Sequence, residues 1–452
     1  MSDDRHPRDR LRRELSLQDA VFLVVASVVG SGIFLTPGDI ATHLPHAGLI
    51  MAVWIVGGVL SLAGAFANAE LGAMYPRAGG DYVYLREAFH PAAGFLVGWL
   101  TFFAIYAGTV ATLAVGFSAS LGAMWNWSEG LVLAVAVLTI AACSWLNWAG
   151  VRWGALANNV TGWVKVGALI AFGVIAPFTG HGDAGNLVPV VGGAAAAFTP
   201  GAFALALSPV LFSYLGWNAT VYVASEIRDP TRNLPRSLFL GLAICTGLYL
   251  LLNGVYLLAL GPDGLAGTLN AGESTARIFF GDLGGRLLAG FVLISILGTL
   301  SATILVGPRI AYAMALDGLL GRGMDAVHAG RATPTAAIVL QAVVAVGLVL
   351  LLENFPSALD YTTFAILLAT VADVAALYAL RRKYPDRPRP YRAWGYPWVP
   401  ALYVVGNLAI AAGLLWGATR ESLVSLAVLA AGWPVYRFFS RRGSRAERGR
   451  GR

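Results

Sequence analysis

Apolar runs long enough to cross a bilayer recur along the whole chain, at about residues 17–44, 47–74, 93–122, 130–149, 153–178, 198–225, 237–261, 284–315, 335–352, 358–380, 398–418 and 421–439. Each approaches or exceeds the roughly 20 residues that a hydrocarbon core demands of a helix. Lipid offers no water to free N–H and C=O groups, so a run that crosses it must satisfy its backbone internally, as a helix does. The reading is therefore an all-α membrane protein with twelve transmembrane helices. Composition agrees: 57% of the residues are hydrophobic and 12% are charged, against about 25% charged in soluble domains. Cys143 and Cys245 both lie in apolar runs and imply no disulfide framework. The polar, arginine-rich residues 1–16 precede a run too long for a signal peptide, which is expected to be kept as the first span.

The net charge of +7 is explained by where the charge lies. Placing both termini and the even-numbered loops on one side collects 27 of the 31 Lys and Arg residues there. That bias orients the chain with N- and C-termini cytoplasmic, its basic residues facing anionic lipid. The charge is thus a topology signal, and nucleic acid is not expected as a partner. A bacterial inner membrane is the expected location.

Within the first run, Val24-Val25-Ala26-Ser27-Val28-Val29-Gly30-Ser31-Gly32-Ile33-Phe34-Leu35-Thr36-Pro37 contains a triplet that weakens a continuous helix. Each glycine costs a helix about 1 kcal/mol relative to alanine. A break there points the amides of Ser31, Gly32 and Ile33 out of a half-helix N-terminus, which favours an anion. The carbonyls of Val28 and Val29, ending the first half, suit a cation. A second interruption lies in Ser208-Pro209-Val210-Leu211-Phe212-Ser213-Tyr214-Leu215-Gly216-Trp217-Asn218. Gly30 and Ser213 are 183 positions apart, and their spans start about 181 apart. Paired interruptions at equivalent places in two halves point to a five-plus-five inverted repeat with discontinuous helices 1 and 6 and a midplane site. The expected segments are a tail at 1–16, a first repeat at 17–178, a second at 198–381, two peripheral spans at 397–440 and a basic tail at 441–452.

Several stretches resemble the amino acid–polyamine–organocation superfamily, and its L-type amino acid transporter branch in particular. They are Gly30-Ser31-Gly32-Ile33-Phe34, Ala69 to Leu85, Phe212-Ser213-Tyr214-Leu215-Gly216-Trp217-Asn218, Asn233-Leu234-Pro235-Arg236, Gly307 to Ala315 and Tyr391 to Trp398. The resemblance implies alternating access, with a substrate carboxylate on the amides of Ser31 and Gly32. The substrate amine would meet carbonyls of Val28, Val29, Phe212 and Ser213, and Phe212 would gate the site. Relatives usually carry glycine where this chain has Leu215, which implies small or medium neutral L-amino acids. The animal heteromeric members carry a cysteine in the loop after span 3, and residues 122–129 here contain none. No disulfide-linked ancillary subunit is expected.

Lys165 lies about 12 residues into span 5, and an intramembrane ionisable residue is a functional candidate by default. By resemblance it occupies the place where sodium-coupled relatives hold an ion, so a fixed ammonium would replace sodium and could relay a proton. Glu70 and Glu226 read as structural helix-end carboxylates, and Asp373 as a pairing or a transport residue. Asn218 shapes the pocket or caps freed backbone. The six histidines form no metal-ligand or triad spacing, and no nucleotide-binding glycine loop is present; no cofactor and no enzymatic activity are expected. Permeation of cationic amino acids or polyamines, driven by protons or by exchange, is the alternative. No acidic residue stands at either break to support it.

Overall fold

The computed structural model describes residues 9–188, 198–321, 323–331, 333–351 and 355–450. Among them the regular structure is helical, apart from one isolated parallel bridge between Leu15 and Ile227. The first apolar run is split into α1 (Leu17–Val28), α2 (Gly32–Leu35) and α3 (Pro37–His43). Ser16 starts α1 with a capping box, its side chain accepting from the Asp19 N–H while Asp19 reaches back to the Ser16 N–H. α4 (Ala47–Met74) follows, then a short α5 (Asp81–Ala88). The third span runs through α6 (Pro91–Leu100), a π-helical turn (Thr101–Tyr106) and α7 (Ala107–Trp125). α8 (Glu129–Ala149) and α9 (Val151–Ile175) complete the first half.

The second half opens with α10 (Pro200–Tyr214) and the single turn α11 (Ala219–Tyr222). Next come α12 (Pro230–Leu265), α13 (Ala271–Val306) and α14 (Pro308–Leu316). α12 and α13 are each kinked at a glycine in the left-handed region, Gly261 and Gly281. α15 (Thr335–Leu351), α16 (Phe355–Lys383), α17 (Trp398–Gly417) and α18 (Thr419–Arg450) end the chain.

Ten of these segments are long and apolar enough to cross a membrane, and α10 and α15 are shorter apolar helices. Leu138, Trp145, Trp163, Val343, Leu402 and Trp416 stand exposed on the outer faces, an apolar surface too extensive for water. The chain is a multi-pass membrane protein. Its first span is 78% buried within the protein and its last 17%, so span 1 is central and α18 peripheral.

The helices associate in two groups. α1 and α4 pack on α12, and α10 packs on α3 and α4. In the other group α7 packs on α8 and α13, and α15 packs on α7 and α8. Small residues permit the close approaches: a Cβ on Gly241 would come 2.6 Å from Val24, and one on Gly57 would come 2.3 Å from Val210. The end that carries residues 9–16 is closed by polar ties. Arg309 and Glu226, both about 1% exposed, form a bidentate pair at 2.7 and 3.0 Å. The Leu15 N–H donates to the Glu226 carbonyl and the Arg228 N–H to the Leu15 carbonyl. Glu70 accepts from Arg381 at 2.9 and 2.6 Å, and Asp317 joins Arg86 and Tyr82. Glu70 and Glu226 thus hold helix ends together, as read from the sequence.

Candidate functional site

Both interruptions are present, and they touch. Helical bonding in α1 ends with the Val29 N–H on the Val25 carbonyl, and Val29 itself leaves helical geometry at ψ 80°. Gly30 and Ser31 bridge to α2, which continues through Thr36, itself in helical φ/ψ, into α3. Phe34 and Leu35 donate back to the Ser31 carbonyl. The amides of Ser31, Gly32 and Ile33 therefore head the restarted helix, ahead of its first intrahelical bonds. In the second interruption α10 continues past Pro209 to Tyr214 and stops there. Leu215 turns to ψ 146° and Gly216 takes φ +97°, a conformation natural to glycine, before α11 resumes after Asn218. The loss of the Pro209 donor does not end the helix. What ends it is the Leu215–Asn218 turn.

Contact between the breaks depends on missing side chains. A Cβ on Gly32 would lie 2.6 Å from Ser213 Oγ and 2.9 Å from its Cα, and one on Gly216 would lie 2.8 Å from the Ser27 carbonyl oxygen. Thr36 Oγ1 lies 3.0 Å from Ser213 Oγ. Gly32→Ala should therefore force the two half-helices apart. We expect the transport that the resemblance implies to fall at least about tenfold in the variant, the equivalent of 1.4 kcal/mol, while its elution in detergent stays monodisperse. Unaltered transport would show that the contact is not needed.

The breaks border a cavity of about 110 Å³, room on the order of several water-sized groups. Of the residues read from the sequence, Val28, Gly30, Ser31, Gly32, Phe212, Ser213, Leu215 and Asn218 line it; Val29 and Ile33 do not. The opposite wall comes from the π-turn and α7 (Ile105, Tyr106, Thr109) and from α16 (Thr362, Ile366, Thr370). No charged side chain lines it among the described residues.

Lys165 is fully buried on α9. Its ammonium donates to the Val29 carbonyl and Thr299 Oγ1, both at 2.8 Å, and to the Ala26 carbonyl at 3.3 Å. These three acceptors match the three donors of an ammonium. Ser295 Oγ also reaches the Val29 carbonyl at 3.1 Å. Val29 is thus held from behind the cavity, which is why it does not line it. The Tyr249 hydroxyl lies 2.9 Å from the Val28 carbonyl and 2.7 Å from that of Ser213. It ties the two breaks to each other at the carbonyls read as amine receptors. Asn218 donates to the Tyr222 hydroxyl at 3.2 Å, and that hydroxyl donates to Asp81 Oδ2 at 2.6 Å.

Tyr249, Ser295, Thr299 and the π-turn escaped the sequence reading. A lone tyrosine or hydroxyl residue inside an apolar run carries no signal of where it points. The π-turn, a frequent companion of functional sites, has no distinctive composition. Cys143 and Cys245 are both free thiols.

Comparison with known proteins gives this geometry its context. A family model described as amino acid permease matches residues 15–433. The chain is 29% identical to the serine/threonine exchanger SteT of Bacillus subtilis over 95% of its own length and 98% of that protein's. It is 29% identical to the rat large neutral amino acids transporter small subunit 2, over 94% of this chain and 80% of that one. To the mouse Asc-type amino acid transporter 1 it is 28% identical, over 88% and 76%. With the match running through both breaks and nearly every span, the chain belongs to the amino acid permease family of the amino acid–polyamine–organocation superfamily.

Proposed function

We propose that the protein is a secondary transporter that exchanges or takes up small to medium neutral L-amino acids by alternating access, without sodium. The observation that carries this reading is the pair of touching helix breaks around an uncharged cavity. The free amides of Ser31 and Gly32 suit a carboxylate, and carbonyls at the two breaks suit an ammonium, so a zwitterion is held by peptide groups at both ends. The uncharged walls supply no partner for a charged side chain, which argues against cationic amino acids and polyamines. Leu215 and the modest cavity favour short side chains. Relatives that exchange serine and threonine or carry neutral amino acids point the same way.

The reading includes twelve spans in a five-plus-five inverted repeat, with both termini cytoplasmic in a cell inner membrane. The grouping of α1, α4, α10 and α12 against α7, α8, α13 and α15 supports a rocking motion of one group over the other. Substrate favours the closed forms because its two charges complete both broken helices at once. The Lys165 ammonium takes the place of a coupling ion: it is buried and fully bonded between the span-1 break and α13. The chain is expected to work without a disulfide-linked subunit. Uptake by proteoliposomes, with and without internal amino acid and with sodium and pH varied, tests this. Uptake of neutral amino acids driven by internal amino acid and indifferent to sodium is expected. A sodium requirement, or preference for cationic amino acids, would refute the reading.

A further inference from the structure

Below the cavity, towards the end closed by residues 9–16, lies a second buried group that the transport reading does not use. Asp81, at the start of α5, and Asp373, within α16, are both fully buried. Their carboxyls face each other within hydrogen-bonding reach. Asp81 Oδ2 accepts from Tyr222 at 2.6 Å and from Thr101 Oγ1 at 3.2 Å. Asp81 Oδ1 has no donor of its own. Beside Asp373 stands Asn68, fully buried, whose amide is a hydrogen-bond donor to the Asp373 carboxyl.

Among the described residues no lysine or arginine forms an ion pair with either carboxyl. The titratable groups that act on the pair are Tyr222 beside α11, Tyr106 of the π-turn, Tyr84 of α5 and Tyr403 of α17. The nearest guanidinium along α16, that of Arg381, is bound to Glu70, and Arg86 is bound to Asp317 and Glu87. Two facing carboxyls sealed from water without a counter-charge cannot both ionise. Burial alone holds the Asp81 carboxyl above the usual carboxylate range.

We propose that Asp81 and Asp373 share one proton and act as a protonation-controlled latch, fastening the α11 limb of the second break to α16 at the closed end of the substrate cavity. The proposal rests on the transport reading for what the latch controls. While the proton is held, one carboxyl donates to the other and the chain Asn218–Tyr222–Asp81–Asp373 is continuous from the cavity wall. When that end opens, water enters and accepts the proton. Two carboxylates remain, and their repulsion keeps the start of α5, with the α11 limb bonded to it through Tyr222, away from α16 until a proton returns. The pair has its own macroscopic titration, which belongs to neither residue alone.

The test is exchange of a neutral amino acid in proteoliposomes at symmetric pH stepped from about 5 to 8, for the wild type, Asp373→Asn and Asp81→Asn. Wild-type exchange is expected to rise with pH on its acid limb, up to about tenfold per pH unit, and to fall again where return of the proton limits reclosure. Both variants should stay at the slow, acid-limit rate throughout, since an asparagine keeps the latch bonded and cannot lose a proton. A variant with the wild-type slope overturns the proposal. So does a wild-type profile that is flat, or one that sodium concentration shifts, which would make the pair a cation site. Infrared difference spectra provide a second measurement that needs no transport. The wild type at neutral pH should show a protonated carboxyl band that shifts in deuterium oxide and is altered in either variant; its absence refutes the shared proton. Failure of the wild type to exchange any amino acid would instead sink the transport reading, and the infrared test of the pair would remain.

Discussion

Lys165→Ala is expected to reduce amino acid exchange by about 10- to 150-fold while leaving a folded protein. The ammonium makes three charge-assisted bonds, two of them to carbonyls that end the first half-helix. Hydrogen bonds to a charged group are worth about 1.5–3 kcal/mol, and that is the stabilisation the break loses. Folding survives because the orphaned acceptors keep other donors. Thr299 Oγ1 lies 2.7 Å from the Ala26 carbonyl, and Ser295 Oγ lies 3.1 Å from that of Val29. On the proposed reading, what is removed is the positive charge under the break, and no neutral side chain replaces it. Lys165→Gln should therefore be nearly as inactive as Lys165→Ala, although it can donate hydrogen bonds. Initial rates of exchange in proteoliposomes decide the matter, and normal rates in either variant would remove Lys165 from the transport cycle.

Arg309→Met should produce the largest loss of stability. Arg309 and Glu226 are sealed from solvent and bonded at two points. Removing one member of such a pair leaves an uncompensated buried charge, at a cost of about 3–5 kcal/mol. The Glu226 carbonyl also receives the N–H of Leu15, so the loss spreads to the N-terminal segment that closes this end. A fall of several degrees in the melting temperature in detergent is expected. The double variant Glu226→Gln with Arg309→Met should recover much of it, because it leaves no buried charge. Equal melting of the wild type and Arg309→Met would mean that the pair contributes nothing measurable.

The apolar runs, the two breaks and the part of the cavity wall that the breaks form were legible because each rests on local chemistry. Glycine triplets weaken helices wherever they stand, and spanning length is set by the bilayer. Gly30-Ser31-Gly32 and Leu215-Gly216 could therefore be placed from the chain alone. The third dimension was hidden. Tyr249 meets Val28 and Ser213 across 221 and 36 positions, and no local pattern announces such a meeting. Asp373 was conspicuous as a carboxyl inside an apolar run, but its partner lies in the Gly79-Gly80-Asp81-Tyr82 loop. Only the packing of α5 on α16 brings the two together. Val29 shows the same limit from the other side. Its carbonyl is freed by the break as expected, but it is claimed by Lys165 from behind the cavity.

The most direct test of the central claim, that naked peptide groups at two touching breaks grip a zwitterion, is an experimental structure with a neutral amino acid bound. Its carboxylate should lie within hydrogen-bonding distance of the Ser31 and Gly32 N–H groups, and its ammonium against carbonyls of both breaks. Substrate density elsewhere, or unbroken helical hydrogen bonding through residues 28–34 and 212–217 in the bound state, would contradict the account.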